Sequence, residues 1–266
     1  MQKVRNQKSE KFQLVSVVMP VYNERKTIET IVERVEKIKI SKELIIVDDG
    51  STDGTCEWLY ERFGKTPGDE EAPKKNLCES TAERTQIRVL THQSNQGKGA
   101  ALKTGFKYAR GEIVIVQDAD LEYSPEEYHR LLEPLVTDRA DVVYGSRFLG
   151  ASEAKWPVVS YLGNKLFTAL TNVATGLSLT DVWTGYKVFK KEVLEDISLE
   201  ESRFEMELEL TVKVAQGKWR VMEVPISYRP RSKAEGKKIR WRDGIQAIKT
   251  LLRYSKPHNP SAVISP

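Results

Sequence analysis

Glu112-Ile113-Val114-Ile115-Val116-Gln117-Asp118-Ala119-Asp120-Leu121-Glu122 is the stretch on which the fold turns. Its short unbroken apolar run reads as a buried strand. The run stops at two carboxylates that flank one small residue. Carboxylates so placed at a strand end can converge on a hard divalent cation. Mg²⁺ in particular accepts one or two carboxylates and takes its remaining oxygens from a diphosphate or water.

Upstream, Leu14-Val15-Ser16-Val17-Val18-Met19-Pro20 predicts another buried strand ending at proline. Ile28, Ile31, Val32, Val35 and Ile38 follow at helical spacing. Glu43 to Asp48 and Ile87 to Leu90 predict two more strands, with a short helix through Trp58 and Phe63 between them and a helix from Gly99 to Ala109 after the second. Downstream, Ser124-Pro125-Glu126-Glu127 has the pattern of a capping-box start for a helix running to about Val136. Asp141 to Tyr144 and Lys218 to Tyr228 are further strands. Strands alternating with helices predict an α/β fold with a mostly parallel central sheet and helices on both faces. Such sheets bind ligands beyond the carboxyl ends of their strands, and the polar motifs lie at those ends.

Composition narrows the class. Hydrophobic residues are 39% and charged residues 30%, the balance of a globular protein and not of a mainly disordered one. A net charge of +4 is too small to mark a nucleic-acid binder. Cys56 and Cys78 form neither a metal spacing nor a disulfide framework, which fits free thiols in a reducing cytosol. His92, His129 and His258 are scattered and read as surface or structural residues. The polar, basic 1–13 tail lacks the apolar centre of a secretory signal. The longest apolar stretch, 156–179, is broken by Gly163, Asn164 and Lys165, so no membrane-spanning segment is expected.

Three other motifs join the carboxylate pair. Pro20-Val21-Tyr22-Asn23-Glu24 places an aromatic face and a carboxylate after the first strand, suited to a base, or else a helix start capped by Asn23. In Asp48-Asp49-Gly50-Ser51-Thr52-Asp53-Gly54-Thr55, Gly50 allows a tight turn and Ser51 or Thr52 can cap the next helix. Two adjacent carboxylates there need an offsetting partner, which a ribose hydroxyl, a base N–H or a cation would supply. Asn95-Gln96-Gly97-Lys98-Gly99 opens a helix with glycines and a lysine, a modest phosphate signal. It fits neither the dinucleotide fingerprint nor the P-loop.

In order and spacing these motifs, with Gly145-Ser146-Arg147 and Thr184-Gly185-Tyr186-Lys187-Val188-Phe189, resemble the family 2 glycosyltransferases, and among them the dolichol-phosphate mannose synthase branch. The resemblance covers about Leu14 to Tyr254. It implies a GT-A, Rossmann-like fold, a nucleotide held by Pro20, Tyr22, Glu24 and Asp49, and Lys98 near the diphosphate. It also implies Mg²⁺ or Mn²⁺ on Asp118 and Asp120, inversion at the anomeric carbon, and Arg147 facing an acceptor phosphate. Where the synthases carry glutamine this chain has Glu122, which adds a metal ligand or changes the donor. Ala151 replaces their second glycine after Ser-Arg, and the membrane helices that some relatives append are missing.

The remaining segments bear on the acceptor. Trp156, Val159, Leu162, Leu166, Phe167, Leu170 and Val173 share one helical face, which either packs on the sheet or lies in a membrane interface. Between Arg229 and Arg253 nine basic residues face two acidic ones, a charge of +7. Ile245, Ile248, Leu251 and Leu252 make this a basic amphipathic segment suited to anionic lipid headgroups or to phosphate. Arg203-Phe204-Glu205-Met206-Glu207-Leu208-Glu209 carries three carboxylates at alternate positions. They share one side of a strand or spread around a helix. Glu207 is the first choice as general base if the acceptor is a hydroxyl. A lipid phosphate is already anionic and needs no base, and Arg147 with the basic segment favours that acceptor.

The expected organisation is therefore a 1–13 tail, a 14–150 half for sugar nucleotide and metal, with 64–86 as a mobile insertion, and a 151–230 half for the acceptor. A 231–254 basic segment and a 255–266 tail follow. The expected activity is transfer of a hexose from a nucleoside diphosphate such as GDP-mannose or UDP-glucose to a polyprenyl phosphate. It would take place in the cytoplasm or peripherally at the cytoplasmic face of an anionic membrane. The alternatives are a hydroxyl acceptor served by Glu207, a nucleotidyltransferase, which lacks its Gly-X-Gly-X-Arg loop here, and a non-catalytic sugar-nucleotide-binding module.

Overall fold

The computed structural model describes residues 14–64, 85–150, 158–230 and 249–254. The main elements among them are, in chain order, β1 (Val15–Val21), α1 (Ile28–Lys37), β2 (Lys42–Asp48), α2 (Thr55–Phe63), β3 (Thr85–Thr91), α3 (Lys98–Tyr108), β4 (Ile113–Val116), α4 (Tyr128–Val136), β5 (Val142–Ser146), α5 (Val158–Thr175), β6 (Lys187–Lys190), α6 (Lys191–Asp196), α7 (Met206–Gln216) and β7 (Val221–Pro225). The strands form one sheet in the order β3-β2-β1-β4-β6-β5-β7. Only β6 runs against its neighbours; every other pairing is parallel.

The central strands sort alternate residues into two cores, as a pleated strand must. Val17, Leu44, Ile46, Ile113 and Ile115 join α1, α2 and α4 on one face. Val18, Ile45, Val47, Val114 and Val116 join α3, α6 and α7 on the other. Burial on both faces explains why these strands read as apolar runs without alternation. The predicted mostly parallel sheet with helices on both faces is the observed one.

Several local expectations change. Pro20 does not end β1, which continues to Val21 opposite Asp48. Pairing with β4 stops at Val18, so the missing N–H of Pro20 costs no bond on that side. Ser124 makes no capping bond to its helix. Its hydroxyl and Glu126 instead receive the guanidinium of Arg34, and Glu127 accepts the Ser227 N–H. Long-range partners have outcompeted the local cap. Strand β6 was not foreseen, because its four residues lie inside a motif read for chemistry. Of the 64–86 insertion, residues 85 and 86 belong to β3, and 65–84 lie outside the described residues. So do the 1–13 and 255–266 tails and 231–248 of the basic segment.

Candidate active site

Because β1, β2, β4 and β5 point the same way, their carboxyl ends share one sheet edge. That edge brings together Pro20 in the last residues of β1 and Tyr22 and Glu24 after it, Asp49 after β2, Asp118, Asp120 and Glu122 after β4, and Arg147 after β5. The Glu24 carboxylate accepts the Thr27 hydroxyl at 3.0 Å, and the Glu24 N–H donates to Thr55 Oγ1 at 3.1 Å. Asn23 does not cap α1. It turns with φ 56°, and its side chain accepts the Thr52 N–H at 2.8 Å, tying the first two loops together. Nor do Ser51 and Thr52 cap α2, for Asp53 takes the Thr55 N–H at 3.1 Å.

The offsetting partners that Asp49 requires come from the chain itself. Its carboxylate accepts Nδ1 of His92 at 2.7 Å, the Asn95 amide at 2.9 Å, and the N–H groups of Gln96 at 2.9 Å and Gly97 at 2.7 Å. Four donors fill the acceptor capacity of a carboxylate. Asp49 therefore anchors the glycine-rich loop to the end of β2. The same bonds use N–H groups that the sequence had offered to a phosphate, and the Ala100 N–H goes to Ser202 O at 2.8 Å. Gly97 is obligatory here: its φ is 102°, and a Cβ would stand 2.6 Å from Ser202 O.

What the loop delivers is Lys98. Its ammonium lies 2.8 Å from Asp118 Oδ1 and 3.1 Å from Glu207 Oε1. The other Glu207 oxygen pairs with Lys187, whose ammonium also donates to Thr184 O at 2.6 Å. Burial opposes charge on Lys98, Glu207 and Lys187. For Lys98 the two carboxylates outweigh it and hold the ammonium above its ordinary pKa. For Glu207 burial would raise the pKa, yet Lys187 and Lys98 push it down to about 2. Burial draws Lys187 below its ordinary value against the pull of Glu207. The stretch around Glu207 is helical, which separates its carboxylates: Glu209 takes the N–H groups of Glu200 and Glu201 and the ammonium of Lys213.

The Asp118–Glu122 turn rests on a tyrosine layer. Gln117, fully buried, accepts the hydroxyls of Tyr128 and Tyr186, both at 2.8 Å, and its amide donates to Asp118 O at 2.9 Å. Tyr123 packs between the tilted rings of Tyr186 and Tyr228, and its hydroxyl accepts the Gly185 N–H at 2.8 Å. Leu121 adopts a left-handed φ of 40°, tightening the turn so that the Glu122 N–H meets Asp120 Oδ1 at 3.3 Å. The Glu122 carboxylate accepts the Tyr228 hydroxyl at 3.0 Å.

Arg147 is buried and grips Asp181 through Nε at 2.6 Å and Nη2 at 2.8 Å, and its own N–H adds a third bond at 3.1 Å. Its guanidinium lies 5.0 Å from the centre of the Tyr228 ring. Burial would lower its pKa; the Asp181 carboxylate and neighbouring tyrosines keep it above the ordinary value. Asp181 is positioned in turn by its N–H to Glu223 Oε1 at 3.0 Å and by the Asn164 amide at 3.2 Å. Gln117, Lys187, Asp181 and Glu223 were not singled out from the sequence. Lone polar residues leave no periodic trace; the signals were the position of Gln117, directly after a buried strand, and the place of Lys187 inside the motif Thr184 to Phe189.

A divalent cation suits this donor set. Asp118 already holds a cationic ammonium at bonding distance. Among the described residues no three His, Cys, Asp or Glu side chains converge as a metal group. The protein would thus supply one or two carboxylates and leave the remaining positions to a diphosphate and water, the arrangement Mg²⁺ and Mn²⁺ accept.

The architecture is that of the GT-A glycosyltransferases. The solved structure of glucosyl-3-phosphoglycerate synthase from M. tuberculosis is similar with a TM-score of 0.66 over 93% of this chain and 82% of that one, at 22% identity. The same synthase in complex with Mn²⁺, uridine diphosphate and glucosyl-3-phosphoglycerate gives a TM-score of 0.65 at 20% identity, over 93% and 81% of the two chains. A sequence profile described as glycosyl transferase family 2 matches residues 16–198, and the chain belongs to that family of enzymes. It is 32% identical to the polyprenol monophosphomannose synthase of Mycolicibacterium smegmatis over 84% of this chain and 82% of that protein. It is 30% identical to the undecaprenyl-phosphate mannosyltransferase of Micrococcus luteus over 84% and 86%. With the dolichol-phosphate mannosyltransferase of Pyrococcus furiosus it shares 29% identity over 91% of this chain but only 64% of that longer protein.

Proposed function

We propose that this glycosyltransferase moves a hexose, with inversion, from a nucleoside diphosphate to a polyprenyl phosphate. Asp118 and Asp120 would hold a Mg²⁺ or Mn²⁺ ion, which when bound neutralises charge on the departing diphosphate. Tyr22 and Glu24 would meet the nucleotide, with Pro20 shaping the loop and Asp49 acting through the segment it anchors. Glu122, whose carboxylate accepts the Tyr228 hydroxyl and does not converge with Asp118 and Asp120 as a third ligand, would bear on the choice of donor.

The observation that carries the reading is the state of Glu207. Its two oxygens are each paired with a lysine ammonium, Oε1 with Lys98 and Oε2 with Lys187, which makes it a poor acceptor for a hydroxyl proton. A phosphate acceptor needs no such base, because its attacking oxygen is anionic near neutral pH. Arg147, oriented by Asp181, would position it. The names of the three relatives point to the same acceptor class.

Helix α5 supports delivery of that acceptor from a membrane surface. Its polar residues turn inward: Asn164 reaches Asp181, and Thr168 accepts the Val182 N–H at 3.3 Å. Tyr161, Leu162, Leu166, Leu170 and Val173 face outward, with Leu166 60% and Val173 87% exposed. Of the face read from the sequence, Phe167 packs against the core. No helix among the described residues is long and apolar enough to cross a membrane, so the contact would be peripheral.

The test offers the purified protein a panel of sugar nucleotides with Mn²⁺ or Mg²⁺, and polyprenyl phosphate alongside hydroxyl acceptors. Transfer to the phosphate is expected, falling about 10²-fold or more with Arg147→Ala and lost with Asp120→Ala. Transfer to hydroxyl acceptors alone would overturn the acceptor assignment.

A further inference from the structure

We infer that Lys98 is a built-in counter-cation of Asp118 that makes metal binding conditional on the donor diphosphate. The inference rests on the reading of Asp118 as a metal ligand, but on neither the hexose nor the acceptor.

Lys98 is held where it stands. The loop before it is fastened to Asp49 by Gln96 and Gly97. Behind it, a Cβ on Gly99 would meet Arg203 O at 2.8 Å, so α3 is pressed against the 202–203 backbone. Its ammonium bridges Asp118 and Glu207, at 2.8 and 3.1 Å. Glu207 cannot follow a moving lysine, because Lys187 holds its other oxygen and is itself fixed on Thr184 O. Glu207 is therefore a positioning residue that aims Lys98 at Asp118.

The charges of this quartet balance, Lys98 and Lys187 against Asp118 and Glu207; Lys187 and Glu207 are buried, and the Lys98 and Asp118 side chains are each 19% exposed. A divalent cation arriving alone on Asp118 would face an ammonium already 2.8 Å from that carboxylate, and like charges so close repel. A diphosphate removes the conflict, since its oxygens accept both the metal and the ammonium. Metal and nucleotide should therefore bind as coupled ligands, each tightening the other by the same factor.

The experiment titrates Mn²⁺ into the full chain and follows the free ion by electron paramagnetic resonance, with no nucleotide, with GDP, and with UDP. Wild type is expected to bind Mn²⁺ weakly alone and far more tightly with the nucleotide it accepts. Lys98→Met should bind Mn²⁺ alone about tenfold more tightly, with the coupling reduced by a similar factor. Lys98→Arg keeps the charge and should behave as wild type; circular dichroism confirms that each variant is folded. Mn²⁺ affinity without nucleotide that is unchanged or weaker in Lys98→Met overturns the proposal, as does tight binding of Mn²⁺ alone by wild type. Equal Mn²⁺ binding by Asp118→Asn and wild type would instead remove the metal assignment, and the proposal with it.

Discussion

Arg147 and Asp181 are joined by two side-chain N–H donors, Nε at 2.6 Å and Nη2 at 2.8 Å, and the Asp181 side chain is fully buried. The pair links β5 to the segment before β6, two parts of the chain 34 residues apart. Removing one member of a buried ion pair strands the other, at a cost of about 3–5 kcal/mol. Asp181→Ala should therefore lower the unfolding free energy obtained from urea titration by that order. A change below about 1 kcal/mol would mean that the pair is solvated in solution.

Gly185 presses its backbone against the metal-side carboxylate. A Cβ there would stand 2.3 Å from Asp118 Oδ2 and 2.9 Å from the Tyr123 ring. Overpacking of this kind costs about 1–3 kcal/mol, and Asp118 must shift. Gly185→Ala should thus weaken Mn²⁺ binding in the presence of nucleotide. Gly163, inside α5, has nothing within 4 Å of its would-be Cβ, and Gly163→Ala should stabilise by up to about 1 kcal/mol. Thermal melts and Mn²⁺ titration of the two variants separate these outcomes.

Asp48 Oδ1 is buried without a hydrogen-bond partner. Burial pushes its pKa above the ordinary 3.8. With a folded pKa above the unfolded one, its contribution is complete below pH 3.8 and lost as pH rises through the folded value. Asp48→Asn keeps the shape without the charge. Its melting temperature relative to wild type should rise from pH 4 to pH 7, and a difference that shrinks over that range would contradict the assignment.

Glu207 titrates in the opposite sense. Its pKa falls from 4.5 to about 2 on folding, so the stability it contributes is present above pH 4.5 and lost as pH falls toward 2. Glu207→Gln should flatten the dependence of stability on pH between 5 and 2. It should also destabilise the protein at pH 7, because Lys187 stays buried without its carboxylate. Denaturant titrations at several pH values read both effects.

The outward face of α5 can be tested apart from catalysis. Leu166→Glu with Val173→Glu changes two exposed positions and should leave the melting temperature within a few degrees of wild type. Flotation with anionic vesicles at low salt should drop at least several-fold in this variant. Equal flotation of both proteins would place membrane contact elsewhere.

The sequence alone determined six of the seven strands and the edge where chemistry gathers. Runs such as Ile113–Val116 are local signals: four apolar residues ended by Asp118 state both a buried strand and a polar strand end. For the same reason Asp118, Asp120, Asp49 and Arg147 were legible, since each closes a strand or follows one. Tertiary structure decided the rest. The place of β6 between β4 and β5 depends on pairing across the sheet, not on its own four residues. Asp49 could be seen as a carboxylate needing partners, but that His92, Asn95 and the glycine-rich loop supply them follows from packing β3 and α3 beside β2. Glu207 could be named as a carboxylate, yet whether it works as a base depends on Lys98 and Lys187, which the fold brings in from positions 109 and 20 residues away in the chain. Asp118 and Asp120 were visible from the start. Lys98 was visible too, as a lysine for phosphate, but its pairing with Asp118 was not, because periodicity reports which face a residue takes and says nothing of which distant charge will meet it there.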